Sequence, residues 1–303
     1  MKLKIDQTGV CARLIADLLL LLAALIWGIG FVAQRVATFH LGFFGFNGIR
    51  FLIAGLVLLP FVIRRFRDLR HTVGWVLLSG FILFAGSAFQ QAGLETTTAG
   101  SAGFITGIYV VLVPILLALF WKQRSSPVIW IAAVVALGGT YLLSTGGSKF
   151  EPSTGNMLIL IGSFVWALHV IVVGFAVQKM DVFAFSAGQF LVCGILHLVF
   201  SQMTEPLTLS AIRSSWVALA YAGLFSAALG FTLQAVGQRK APSADAALII
   251  SLEAVFAAIA GVLILREHMN GIQILGCVII MGAIILAQFA VIKRNNLKTG
   301  LSE

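Results

Sequence analysis

Several side chains stand out because their chemistry is costly inside apolar sequence. Glu253 lies within Ser251-Leu252-Glu253-Ala254-Val255-Phe256, Arg50 within Phe46-Asn47-Gly48-Ile49-Arg50-Phe51, and His169 three residues after Trp166. A carboxylate at the centre of a hydrocarbon layer costs about 2.5–3.5 kcal/mol on an insertion scale, so it must face protein or a water-filled cavity. There Glu253 can hold an amine, carry a proton, or anchor one helix to another. Arg50 keeps its charge and needs a carboxylate, carbonyls or water. An anionic ligand group, Glu253 itself, or the nearer membrane interface reached by snorkelling can each supply that partner. His169 can relay protons near neutral pH or act as a neutral interhelical hydrogen-bond partner. Trp27 and Trp166 can stack on an aromatic or cationic ligand, or pack where two helices meet.

Neutral donors and acceptors accompany them: Gln34, Asn47, Gln90, Gln91, Tyr109, Gln189 and Gln234. Together they suit a polar cavity, and singly they suit helix-to-helix hydrogen bonds. Gly100, Gly103 and Gly107 recur at spacings that allow close helix approach. The three cysteines, Cys11, Cys193 and Cys277, have no metal-ligand spacing and read as buried structural thiols. No H-E-x-x-H, G-x-x-x-x-G-K-[ST] or G-x-S-x-G motif occurs. Nothing in the chain therefore points to catalysis, a metal or a cofactor, or to work driven by nucleotide hydrolysis within it.

The elements that must position these residues follow from composition. Of 303 residues, 60% are hydrophobic and only 10% charged, with a mean hydropathy of +1.04. A soluble domain carries roughly 25% charge, so this composition excludes a water-soluble fold and, equally, a disordered one. Helices are the element that satisfies its own backbone in lipid, and each crossing needs about 20 apolar residues. Ten such runs are legible: Ala16–Ala37, Phe43–Ile63, Val73–Gly93, Ala99–Trp121, Val128–Ser144, Gly155–Val177, Phe183–Phe200, Trp216–Gln234, Ala244–Leu265 and Gly271–Ile292. The first is too long for a signal peptide and no cleavage site follows it. Of the 20 Lys and Arg residues, 15 fall on the side of the two termini, including the cluster Arg64–Arg70 beside anionic lipid, and 4 on the other. That bias predicts both termini in the cytoplasm and needs no nucleic-acid partner to explain the net charge of +9.

The halves repeat. At an offset of 139, Trp27 matches Trp166, Phe46 matches Phe185, Arg50-Phe51-Leu52 matches Gln189-Phe190-Leu191, and Gly55 matches Gly194. At 143, Gln91-Ala92 matches Gln234-Ala235 and Gly139 matches Gly282. Residues 16–144 and 155–292 thus form two five-helix units joined by the linker Gly146–Thr154. An odd number of crossings inverts the second unit, as in many secondary transporters with a site near the midplane. The expected fold is all-α integral membrane, with ten transmembrane helices as two inverted repeats.

Leu25-Ile26-Trp27-Gly28, the run Phe104-Ile105-Thr106-Gly107-Ile108-Tyr109-Val110-Val111-Leu112-Val113-Pro114, Ser251-Leu252-Glu253-Ala254-Val255-Phe256-Ala257-Ala258 and Arg266-Glu267 resemble the drug/metabolite transporter superfamily, in its ten-helix EamA-type branch. The likeness spans roughly residues 16 to 290. Ala254 stands where the family frequently has proline, which removes the proline basis for a kink there. The resemblance implies a plasma-membrane exporter of amino acids, metabolites or drugs working by alternating access. Its partners would be a small-molecule substrate, membrane lipid and protons if coupling is used. Importer, nucleotide-sugar-type exchanger, passive channel and membrane-embedded enzyme are the alternatives. An exchanger needs more buried cations than Arg50 alone, and an enzyme needs more than Glu253 and His169.

Overall fold

The computed structural model describes residues 7–37, 39–62, 72–97, 99–149, 153–266 and 268–300, which are helical apart from short turns. The helices are α1 (Gln7–Ala37), α2 (Phe43–Val62), α3 (Val73–Leu94), α4 (Ala99–Gly107), α5 (Tyr109–Trp121), α6 (Pro127–Thr145), α7 (Thr154–Ala176) and α8 (Val182–Thr204). There follow α9 (Leu209–Ser214), α10 (Trp216–Ala220), a π-helix over Tyr221–Phe231, α11 (Thr232–Gly237), α12 (Ser243–Ile250), α13 (Glu253–Leu265) and α14 (Gly271–Gly300). Among the described residues, nine helical segments are long and apolar enough to cross a membrane, and a shorter apolar helix, Gly271–Ala287, opens α14. Polar caps start several of them. Ser126 accepts from Ile129 N with Pro127 at the first helical position, Ser153 accepts from Asn156 N, and Asp181 accepts from Phe183 N and Ala184 N. Each satisfies a backbone donor that the helix cannot.

Three of the expected runs are not plain α-helices. The fourth breaks at Ile108, where Val111 N bonds Ile108 O at 3.0 Å in a tight i→i+3 turn. Pro114 lies six residues on and denies a hydrogen bond to the carbonyl four residues before it. The ninth breaks at Ser251–Leu252 without any proline: Leu252 N turns back to Ile249 O, and the Ser251 hydroxyl donates to Leu248 O at 2.7 Å. A serine hydroxyl bonding its own helix offers the backbone an alternative to the regular ladder. The eighth run is π-helical over eleven residues. The two breaks fall at the offset of 143 already seen between the halves. The helices that follow them, α5 and α13, both end on a left-handed residue, Lys122 (φ 54°) and Arg266 (φ 56°).

Packing pairs α2 with α8, α3 with α7, α6 with α14, and α1 with both α13 and the π-helix. A buried aliphatic cluster including Ala16, Leu20, Val113, Leu117, Ala244, Ala247 and Leu248 joins α1, α5 and α12. Outward faces carry large apolar side chains such as Leu18, Leu22, Leu56, Phe61, Phe120, Leu263 and Val278, the pattern of a lipid-facing surface. Two expectations fail here. Cys11 is exposed and Cys277 only half-buried, so of the three cysteines Cys193 alone is a buried thiol. Gly103 does not mediate tight packing, since a Cβ there would meet only Ala254, at 4.0 Å. The Arg64–Arg70 cluster lies outside the described residues.

Candidate functional site

Where α1, α2, α3, the α4–α5 break, α7, the π-helix with α11, and the α12–α13 break converge, they line a cavity with about 520 Å³ of free space, its open part included. Nine of the twelve residues singled out in the sequence line it: Trp27, Gln34, Arg50, Gln90, Tyr109, Trp166, His169, Gln234 and Glu253. Phe31, Thr106, Val170, Ser226, Phe231 and Ile250 complete the lining. None of these six was singled out for its own chemistry: two are common small polar residues, Thr106 having appeared only within the family-like run Phe104–Pro114, and four are apolar, indistinguishable from core.

Three of the singled-out residues lie elsewhere. Asn47 donates to Ser87 O at 3.1 Å and ties α2 to α3. Gln91 donates to Gln34 O at 3.2 Å, tying α3 to α1. Gln189 sits behind the wall, its amide oxygen accepting from Ser79 Oγ at 2.7 Å and contacting His169 Nε2 at 3.0 Å. An amide oxygen only accepts, so the His169 proton is on Nε2. This is the hydrogen-bonded, interhelical arrangement, and it leaves Nδ1 as a buried acceptor with no protein partner.

Arg50 and Glu253 do not pair with each other. The ion pairs among the described residues are Arg13–Asp17 and Arg13–Asp245, each 2.8 Å. Arg50 is only 3% exposed, so it does not snorkel to an interface. Its guanidinium lies 5.3 Å from the Phe46 ring centroid and 4.7 Å from that of Phe51. Such cation–π contacts stabilise the charge but leave its hydrogen-bond donors unmet, and Nε has no partner. Behind Arg50 stands His197, missed in the sequence, whose Nε2 contacts Ser87 Oγ at 2.8 Å beneath the Phe84 and Phe51 rings. Glu253, 6% exposed, opens α13 and accepts from Tyr109 Oη at 3.1 Å. That bond joins the two broken helices across the cavity. Gln90 donates to Gln34 Oε1 at 3.0 Å at the end where α1 passes Phe31 and Gln34.

The aromatic wall has an order. Phe231 stands between the tryptophans, its ring centroid 4.6 Å from Trp27 and 5.8 Å from Trp166. Trp27 Nε1 donates to the π-helical carbonyl of Ser226 at 2.9 Å, while Trp166 Nε1 has no protein partner. Buried polar atoms are normally satisfied. Here Arg50 Nε, Thr106 Oγ1, Trp166 Nε1, His169 Nδ1 and Gln234 Oε1 are all unsatisfied by protein, and all belong to residues lining this one cavity.

Comparison with known proteins bears on the whole chain. A model of the EamA-like transporter family matches residues 14–145 and 153–289. An uncharacterized transporter of Archaeoglobus fulgidus is 33% identical over 92% of this chain and 87% of its own length. The uncharacterized inner membrane transporter YedA of Escherichia coli strain K12 is 24% identical, over 86% and 87% respectively. A WAT1-related chloroplastic protein of Arabidopsis thaliana is 23% identical, over 87% of this chain and 67% of that protein. In fold alone, a protein of known crystal structure superposes with a TM-score of 0.78 at 19% identity, covering 91% of this chain and 96% of the other. With its apolar helices, its internal cavity and a match reaching across both halves, the protein is a multi-pass membrane protein that belongs to the EamA-like transporter family.

Proposed function

We propose that the protein is a secondary transporter that exports small organic solutes across the plasma membrane by alternating access. In this reading ten helices form two inverted repeats, 16–144 and 155–292, with both termini in the cytoplasm. The observation that carries it is the cavity, where a buried guanidinium and a buried carboxyl face one space without neutralising each other. A fixed cation in a low-dielectric site calls for an anion, and Glu253 offers an acceptor for an ammonium group. A zwitterionic amino acid or a related metabolite meets both, with the tryptophan-lined wall taking its apolar part.

The packing supports the repeat. If runs one to five map onto six to ten, α2 with α8 and α6 with α14 are self-related pairs, and α3 with α7 corresponds to the π-helix with α1. The two family matches divide at the linker expected from the sequence, and the helix breaks and left-handed caps recur in step. Broken helices that meet at a site are the usual way such carriers present backbone and side chains to substrate. The cavity reaches toward the Gln34 and Gln90 end and is plugged at the other by the aliphatic cluster near the N-terminus. With cytoplasmic termini, that is an outward-facing state.

Uptake and efflux in proteoliposomes with a panel of labelled metabolites, with and without a pH gradient, test the proposal. Saturable flux of amino acids down their gradient is expected. Flux confined to phosphorylated solutes in strict exchange would replace it with the exchanger reading.

A further inference from the structure

The aromatic wall holds a device that neither the family match nor the cavity's charges account for. The π-helix takes one more residue per hydrogen-bonded turn than an α-helix, so it changes the direction in which every later side chain of that run points. Phe231 is its last residue. The segment is fastened to α1 at two points, Tyr221 Oη donating to Ile26 O and Trp27 Nε1 to Ser226 O, both at 2.9 Å. Gly230 lies flush on the indole, where a Cβ would fall 2.6 Å from Trp27 Nε1. Gly223 lies as closely on α2, where a Cβ would fall 2.8 Å from Ile53 Cγ2. Local geometry thus fixes where Phe231 projects.

It projects between the two tryptophans and also meets His169, Phe51 and Phe190, with centroids 5.7–6.1 Å away. Centroid separations of 4.5–7 Å are those of rings in contact, so no space is left between either indole and the Phe231 ring. A substrate ring cannot be sandwiched by Trp27 and Trp166 while Phe231 is there.

We propose that Phe231 is a specificity-determining residue, a wedge presented by the π-helix that fills the slot between Trp27 and Trp166 and so restricts the carrier to zwitterions with small or aliphatic side chains. The inference rests on the proposed amino-acid transport. Shortening the wedge opens a slot walled by two indoles and shaped for a planar ring.

The test is the ratio of kcat/KM for phenylalanine to that for alanine and valine, measured in proteoliposomes for wild type, Phe231→Ala, Phe231→Val and Phe231→Leu. Wild type is expected to favour the aliphatic substrates. Phe231→Ala should raise the aromatic-to-aliphatic ratio about tenfold or more, the scale on which apolar pocket size discriminates, chiefly through KM for phenylalanine. Phe231→Val should lie between, which keeps the test open if the alanine variant is lost from the monodisperse fraction. Phe231→Leu, closer in volume, should stay near wild type. Phe190→Leu, which touches Phe231 from outside the cavity, should leave the ratio unchanged. A wild type that prefers phenylalanine, or a ratio unmoved in both Phe231→Ala and Phe231→Val, overturns the wedge while leaving transport standing. No amino-acid flux in wild type overturns the amino-acid reading and the wedge with it.

Discussion

Removing the charge of Arg13 should open the plugged end of the cavity. Arg13 Nε contacts Asp17 Oδ1 within α1, and Arg13 Nη2 contacts Asp245 Oδ2 at the start of α12, each at 2.8 Å. The side chains are only 11–14% exposed, so solvent screens the pairs less than it would surface pairs. Just inside them lie Ala16, Leu20 and Ala244 of the aliphatic plug. An exposed pair is worth 0.2–1 kcal/mol, whereas breaking a fully buried one costs about 3–5 kcal/mol. Arg13→Gln leaves two neighbouring carboxylates facing each other, and about 2 kcal/mol is a fair intermediate value for this partly exposed site. At 1.36 kcal/mol per factor of ten, that shifts the balance between closed and open forms about thirtyfold. The assay is thiol labelling of Ala16→Cys, with the three native cysteines replaced, by a membrane-impermeant maleimide added to inside-out vesicles. Labelling should accelerate by up to about thirtyfold in Arg13→Gln and less in Asp245→Asn, whose amide can still accept a hydrogen bond. The double exchange Arg13→Asp with Asp245→Arg should bring the rate back toward wild type. Equal rates in wild type and Arg13→Gln, or a double exchange no slower than Arg13→Gln alone, would refute a role for the Arg13 ion pairs in holding this end closed.

Other expectations follow from the same geometry. Arg50→Gln should reduce substrate flux at least tenfold in correctly inserted protein, and normal flux would show that Arg50 is structural. Glu253→Gln should abolish stimulation by a pH gradient while sparing exchange at equal concentrations, because exchange needs no net proton movement; a wild type indifferent to the gradient would remove proton coupling. Gly28→Ala should lower thermal stability by about 1–3 kcal/mol, since its Cβ would fall 2.5 Å from Phe256 Cβ and 2.8 Å from Glu253 O; an unchanged melting temperature would mean that α1 and α13 separate freely. Reporter fusions after Thr154 and after Lys298 should read outside and inside, and matching signals would remove the inverted repeat.

The apolar runs were legible because about 20 consecutive apolar residues leave few alternatives to a membrane helix. Where those helices break was not. Ser251 and Leu252 are neither proline nor glycine, and at the break a serine hydroxyl turns back on its own helix while Leu252 N bonds Ile249 O. The π-helix likewise leaves no periodic signature, only glycines at 223 and 230 whose role depends on what packs against them. Polar type singled out residues such as Arg50, Glu253 and Gln90, yet it could not say which way each points. Gln90 and Gln91 are neighbours about 100° apart on α3, and only Gln90 reaches the cavity. Phe31 and Phe231 were invisible for the opposite reason: an apolar residue lining a cavity looks like one filling a core. The pairing of Arg50 with Glu253 was a reasonable expectation from charge alone, and the structure instead spends each on a different neighbour, aromatic rings for one and Tyr109 for the other.

Counterflow tests the central claim most directly. Proteoliposomes loaded with a high concentration of unlabelled valine are diluted into a trace of labelled valine, with no pH gradient. A carrier that exposes one cavity alternately to each side predicts a transient accumulation of label above its equilibrium level, present in wild type and absent in Arg50→Gln. Label that rises to equilibrium without overshoot in wild type would mark an open pore, and an overshoot undiminished in Arg50→Gln would place the substrate outside this cavity.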